Sequence, residues 1–139
     1  MNTNRMIIYH ENCFDGFTAA WVARKRFAGD TVEYIPAGYG PGLTPPDVTR
    51  KHVYILDFSY PRDVMEKMYQ QAGFLLVLDH HKTAQANCEG LPFCIFNMNR
   101  SGAGLTWDWM FPNEKRPKLV NYVEDRDLWR FNLPHSKDV

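Results

Sequence analysis

Cysteine is scarce in this chain of 139 residues: Cys13, Cys88 and Cys94 make an odd count without CxxC spacing. Neither a disulfide framework nor a zinc knuckle is indicated, and reduced thiols in a cytosol are the simplest reading. Long hydrophobic runs are missing too. No apolar stretch approaches the ~20 residues of a membrane span, and the opening "MNTNRMIIYH" has too short an apolar run for a signal peptide. A soluble, cytoplasmic protein with no membrane partner is expected. An excess of charge of either sign is also absent, because 16 basic residues balance 16 acidic ones. Binders of long duplex DNA show a basic face or a high pI, so that class is disfavoured, while a short phosphorylated substrate held by metals fits. There is no internal repeat, low-complexity tract or linker. The length suits a single domain, residues 1–139, burying about 65–70% of its surface.

What is present alternates short apolar runs with helix-length segments. Strands are expected over residues 6–9 ("MIIY"), 31–35 ("TVEYI"), 53–56 ("VYIL"), 74–78 ("FLLVL") and 93–96 ("FCIF"). Helices are expected over 15–28, with Phe17, Ala20, Trp21 and Arg24 at helical spacing, and over 61–72, with proline at its first turn. Two more are expected, one through Met110 with Ser101 as N-cap, and one over about 117–127 with Leu119, Val120 and Val123 on one side. Strands alternating with helices imply right-handed crossovers and a mostly parallel sheet covered on both faces. That explains strands that are apolar throughout instead of alternating. The expected fold is α/β, three-layered, with five strands.

Ligands of such sheets bind outside the carboxyl ends of the strands. The first strand delivers "YHENCFDG" there, with His10, Cys13 and Asp15; the third delivers Asp57 and the fourth Asp79, His80 and His81. The last helix carries Glu124, Asp125 and Asp127 in "VEDRDLW". Singly, each acid reads as a cap or turn former, His10 as a packed or hydrogen-bonded side chain, and the tandem histidines as a solvated pair. Together they would repel strongly without a cation. Divalent metal answers that repulsion. Several carboxylates with one or two imidazoles suit Mn²⁺ or Mg²⁺, and two ions ~3.5–4 Å apart are the usual apparatus for water attack on a phosphate ester.

The ordered set "YHENCFDG", "ILDFSY", "LDHHKT" and "YVEDRDLW", spanning residues 10–129, resembles the DHH phosphoesterase family. That family includes RecJ-type exonucleases, small-oligonucleotide and cyclic-dinucleotide phosphodiesterases, and family II inorganic pyrophosphatases. The resemblance implies that Asp57 bridges two Mn²⁺ ions. It implies Asp15, His80 and Asp125 as further ligands of one ion and His10 as a ligand of the second. Asp125 is preferred to Asp127 because "VED" matches the family's apolar lead-in. His81 would bind the phosphate or protonate the leaving oxygen, and Asp79 would fix the histidines from behind.

Two departures stand out. The family's Asp-x-Asp pair is Cys13-Phe14-Asp15 here, so Cys13 is either a thiolate ligand favouring a softer ion or a bystander. Many members also continue into a C-terminal domain with a Gly-rich, His-bearing loop, whereas this sequence stops at "FNLPHSKDV". Either the chain is truncated, or it is a minimal enzyme that completes its cleft by self-association as a homo-oligomer.

Arg100 and Ser101 in "NRSGAG" stand before a helix N-terminus, where free N–H groups and a guanidinium would seat a phosphate. Lys82 is a second phosphate candidate. Trp107, Trp109 and Trp129 could stack bases, with core packing as the plainer reading. "RKRF" (24–27) reads as a solvated basic run, and the "GYGPGLTPP" loop lacks the lysine of a nucleotide-binding P-loop. The expected function is a metal-dependent phosphodiesterase acting on nucleotides or short single-stranded oligonucleotides. The alternatives are a pyrophosphatase or nucleotide phosphatase with the same centre, and a module that binds metal and nucleotide without hydrolysis.

Overall fold

The structure, a computed structural model, describes residues 4–39 and 44–128. In chain order the elements are β1 (Arg5–His10), α1 (Phe14–Arg26), β2 (Val32–Ala37), β3 (His52–Leu56), α2 (Arg62–Gln71), β4 (Phe74–Asp79), α3 (Lys82–Asn87), β5 (Cys94–Phe96), α4 (Gly102–Met110) and α5 (Lys118–Asp127). The five strands form one sheet in the order β2-β1-β3-β4-β5, and every pairing is parallel. The fold is the expected three-layer α/β arrangement.

Alternate strand residues feed two separate cores. Met6, Ile8, Val53, Ile55, Leu75 and Val77 pack with Met65 and Met68 of α2. Ile7, Tyr54, Leu56, Leu76 and Leu78 pack with α1, α4 and α5 through Val22, Leu105 and Val120. Both faces of the sheet are therefore dry, which is why the central strands carry no polar alternation. Pro36 is accommodated because β2 is an edge strand, where one missing N–H is harmless.

The first helix lies differently from what its large side chains imply. Its buried face is Asp15, Gly16, Thr18, Ala19, Val22 and Ala23, while Phe17 and Trp21 are 50% and 37% exposed. Small residues are selected where the helix must lie close to its neighbours: a Cβ on Gly16 would stand 2.1 Å from the His10 carbonyl oxygen. That close approach brings the end of β1 and the start of α1 together. Trp107 is buried and donates its indole N–H to the Glu114 carbonyl at 3.1 Å, whereas Trp109 faces outward. Arg24, Lys25 and Arg26 are exposed, as expected of a solvated run, while Phe27 is buried. Trp129 and residues 40–43 of the Gly/Pro-rich loop lie outside the described residues. Among the described residues, no helix is long and apolar enough to cross a membrane.

Candidate metal centre

The carboxyl ends of β1, β3 and β4 converge on Asp57. This residue follows the last residue of β3, is fully buried and adopts the left-handed conformation at φ 59. Aspartate tolerates that region better than most residues, but still at a cost of about 1–3 kcal/mol that surrounding structure must overcome. Its N–H donates to the Leu78 carbonyl at 2.9 Å, and Gly102 presses on its side chain so closely that a Cβ there would be 2.5 Å from the Asp57 Cβ.

Each carboxylate oxygen of Asp57 faces a different set of ligand-type atoms. Oδ2 lies 3.5 Å from Cys13 Sγ and 3.6 Å from His10 Nδ1. Oδ1 lies 2.8 Å from His80 Nε2, which is also 3.1 Å from Asp15 Oδ2 and 3.7 Å from Asp127 Oδ2. His10, Cys13 and Asp57 form one compact group, Asp15, His80 and Asp127 another, and Asp57, Asp79, His80 and His81 a third. Each is of the size that holds a cation.

The electrostatics show how tightly this cluster is packed. Burial would raise the Asp57 pKa, but contacts with His10 and His80 outweigh it and hold the carboxyl well below its ordinary range. Burial pushes Asp15 up to about 7 despite its His80 partner, and it raises Asp127 as well. Burial would lower the His80 pKa, yet Asp15 and Asp57 push it up to about 11. Burial also pushes the Cys13 thiol up to about 11. Asp15 and Asp127, driven together this way, hold their protons more tightly unless another positive charge is supplied.

Behind the cluster, Asp79 is fully buried and holds both histidines. Its Oδ1 accepts from the His80 N–H at 2.8 Å and lies 2.7 Å from His81 Nδ1. Its Oδ2 accepts from the Ser59 hydroxyl at 2.7 Å. The Asp79 carboxylate raises the His81 pKa.

The structure thus brings His10, Cys13, Asp15, Asp57, Asp79, His80 and His81 together. Two expectations need correction. From α5 the residue that reaches the cluster is Asp127, not Asp125; the latter is buried and joins none of these groups among the described residues. Positions two apart on a helix point about 200° apart, so the helix can present only one of them. The phosphate seat at 100–104 is also filled from within. Asp15 accepts the Gly102 and Ala103 N–H groups at 2.7 and 2.8 Å, Glu124 accepts that of Ser101 at 2.9 Å, and the Ser101 hydroxyl caps Gly104. Ser101 is fully buried, and Arg100 turns to Asp108 at 3.4 Å. A carboxylate held over the N-terminus of α4 occupies the position a phosphate would need. Lys82 is exposed on the first turn of α3.

Sequence reasoning missed Ser59, although it stands inside the quoted "ILDFSY". It also missed the anchoring pair Arg116–Glu124 and Tyr39, for which no sequence pattern gives a signal. Tyr39 stacks near Phe58 at 4.5 Å between ring centres and meets His10 at 5.4 Å. It borders an open cleft of about 430 Å³ lined by Ser59, Tyr60, Pro61, His81 and Asn87 among others, so His81 stands in both cleft and cluster.

No family model matches this chain. Uncharacterized protein R106 of Acanthamoeba polyphaga mimivirus is 30% identical over 148 residues, an alignment covering 96% of this chain and 35% of the viral protein. The crystal structure of an uncharacterized protein from Helicobacter pylori G27 matches with a TM-score of 0.74 at 15% identity, over 94% of this chain and 45% of that one. The chain therefore spans about a third of the length of the viral relative, which it covers to 35%, and the bacterial likeness establishes the fold.

Proposed function

We propose that this chain is a metal-dependent phosphoesterase of the DHH type, hydrolysing phosphodiester bonds of nucleotides or short single-stranded oligonucleotides. The observation that carries this reading is Asp57, a strained and fully buried carboxylate with one oxygen facing Cys13 and His10 and the other facing His80. A side chain so placed suits a bridge between two ions, and the carboxylate–imidazole donors around His80 suit Mn²⁺ or Mg²⁺. Bound there, two divalent ions would lower the pKa of the attacking water and neutralise charge on the phosphoryl oxygens.

The protein's own contribution is position. Asp79 fixes the His81 ring through Nδ1 at 2.7 Å and favours its protonated form. That leaves Nε2 to hold a proton for a phosphoryl or leaving oxygen. The cleft beside His81 is lined by neutral side chains apart from that histidine, which suits the organic part of a diester better than a second phosphate. This favours a phosphodiester over pyrophosphate.

The test is a Mn²⁺ titration of the chain with bis(p-nitrophenyl) phosphate and a dinucleotide as substrates. Two bound ions with turnover are expected, and Asp57→Asn is expected to lose activity by orders of magnitude together with metal occupancy at both positions. A wild-type chain that binds metal without turnover would leave only the binding-module reading. An Asp57→Asn variant that keeps most of the rate would remove the bridging role.

A further inference from the structure

Two of these groups differ in chemistry as well as place. One is oxygen-rich, with Asp15, Asp127 and the imidazole of His80. The other offers one nitrogen, one sulfur and one oxygen, from His10, Cys13 and Asp57. We propose that the His10–Cys13–Asp57 group is a thiolate site for a zinc-type ion, so that the centre is built for two unlike metals. The proposal deepens the phosphoesterase reading and rests on its metal centre.

The distances in the sulfur-bearing group suit a tetrahedral ion. Around a tetrahedral zinc ion, bonds of about 2.3 Å to sulfur and about 2.0–2.1 Å to nitrogen or oxygen place sulfur and oxygen about 3.5 Å apart, and nitrogen and oxygen about 3.3 Å apart. The corresponding separations from Asp57 Oδ2 are 3.5 Å to Cys13 Sγ and 3.6 Å to His10 Nδ1. In the other group His80 Nε2 lies 3.1 Å from Asp15 Oδ2 and 3.7 Å from Asp127 Oδ2, so the donor atoms rather than the spacing set the two groups apart.

Two further observations point to a ligand at the sulfur-bearing group. His10 Nδ1 is a buried nitrogen that faces Asp57 Oδ2 at 3.6 Å, beyond hydrogen-bond reach, and its ring is set by Tyr39 and Phe58 at 5.4 and 5.9 Å. Cys13 occupies the N-cap of α1 in extended conformation yet makes no capping bond. Serine, threonine, aspartate or asparagine would normally stand there to cap. The thiol points to Asp57 instead, at a helix N-terminus that favours the thiolate once a cation is near. Ligation replaces the S–H bond by a sulfur–metal bond and releases the proton to solvent. Three protein ligands leave a fourth position for water, the open arrangement found in catalytic zinc sites.

The test uses Co²⁺ as a coloured stand-in for Zn²⁺, added to the metal-free chain. The expected result is a near-ultraviolet thiolate-to-cobalt charge-transfer band that saturates at one equivalent and is displaced by Zn²⁺. The band should vanish in Cys13→Ser and persist in Cys88→Ala and Cys94→Ala. No band, or one that survives Cys13→Ser, overturns the proposal. Should Cys13→Ser fail to fold, alkylation of the wild-type chain with iodoacetamide decides the matter by peptide mass spectrometry. Zn²⁺ must shield Cys13 where Mn²⁺ does not, and a Cys13 equally alkylated under both overturns the site. A band without phosphodiester turnover keeps the thiolate site and removes the hydrolase reading; turnover without a band does the reverse.

Discussion

Asp57 and Gly102 are matched at the level of single atoms. A methyl group on Gly102 would fall 2.5 Å from the Asp57 Cβ and 2.7 Å from Oδ1, and neither backbone has slack, since Asp57 already sits at φ 59. Gly102→Ala is expected to cost about 1–3 kcal/mol of stability in urea unfolding, as overpacking does, and to weaken metal binding by tilting the shared carboxylate. An unchanged unfolding midpoint would show that the contact relaxes freely. Tyr39 offers a second single-residue check. Its 58% exposed side chain borders the cleft beside His81, where a nucleobase would stack. In the Mn²⁺-loaded chain, Tyr39→Ala should weaken inhibition by a mononucleotide about tenfold, in line with base–aromatic stacking, while inhibition by inorganic phosphate stays the same. Equal losses for both inhibitors would place the base elsewhere.

Among the elements, α4 and α5 carry the site's least forgiving joint. Glu124 on α5 is buried, accepts the Ser101 N–H ahead of α4 and pairs with Arg116, which also binds Asp108. A Cβ on Gly104 would meet the same Glu124 carboxylate, so any side chain there would displace it. Removing the guanidinium leaves a buried carboxylate without its cation. Arg116→Met is expected to cost about 2–4 kcal/mol, close to the loss seen on breaking buried pairs, and thermal unfolding measures it. A loss under about 0.5 kcal/mol, typical of exposed substitutions, would mean that the Ser101 bond alone holds Glu124. The first helix teaches a different lesson. Its aromatic side chains at 17 and 21 advertise an apolar face, yet the face that packs is made of glycine, alanine, threonine and valine. Side-chain size reports how much area a residue can bury, whereas close helix packing selects for how little it protrudes.

For the whole molecule, metal and fold should be coupled. The centre ties β1, β3, β4, α1 and α5 together through His10, Asp57, His80, Asp15 and Asp127, and ions that bind this arrangement but not the unfolded chain stabilise it. At a free metal concentration a hundredfold above Kd, the gain is about 2.7 kcal/mol per site. Chelation should therefore lower Tm, and re-addition of Mn²⁺ or Zn²⁺ should restore it. An unfolding temperature indifferent to chelator and metal would argue against occupied sites.

Much of this was legible in the chain before folding. Apolar strands without alternation required a parallel sheet covered on both faces, and the acids and histidines after "MIIYH", "VYIL" and "FLLVLD" had to meet at one edge, because parallel strands share a direction. The sequence by itself therefore determined the layers, the edge that bears the candidate site and the types of side chain gathered there. Tertiary structure alone decided which helical acid enters. Asp125 and Asp127 are indistinguishable by spacing, and only the rotation of α5 turns the second toward His80. It alone decided that Asp15 reaches across to the N-terminus of α4 and closes the seat that Arg100 and Ser101 seemed to offer a phosphate. And it alone set Cys13 and His10 against the same oxygen of Asp57. These are matters of rotation and contact between segments far apart in the chain, which local patterns of hydrophobicity and residue type do not encode.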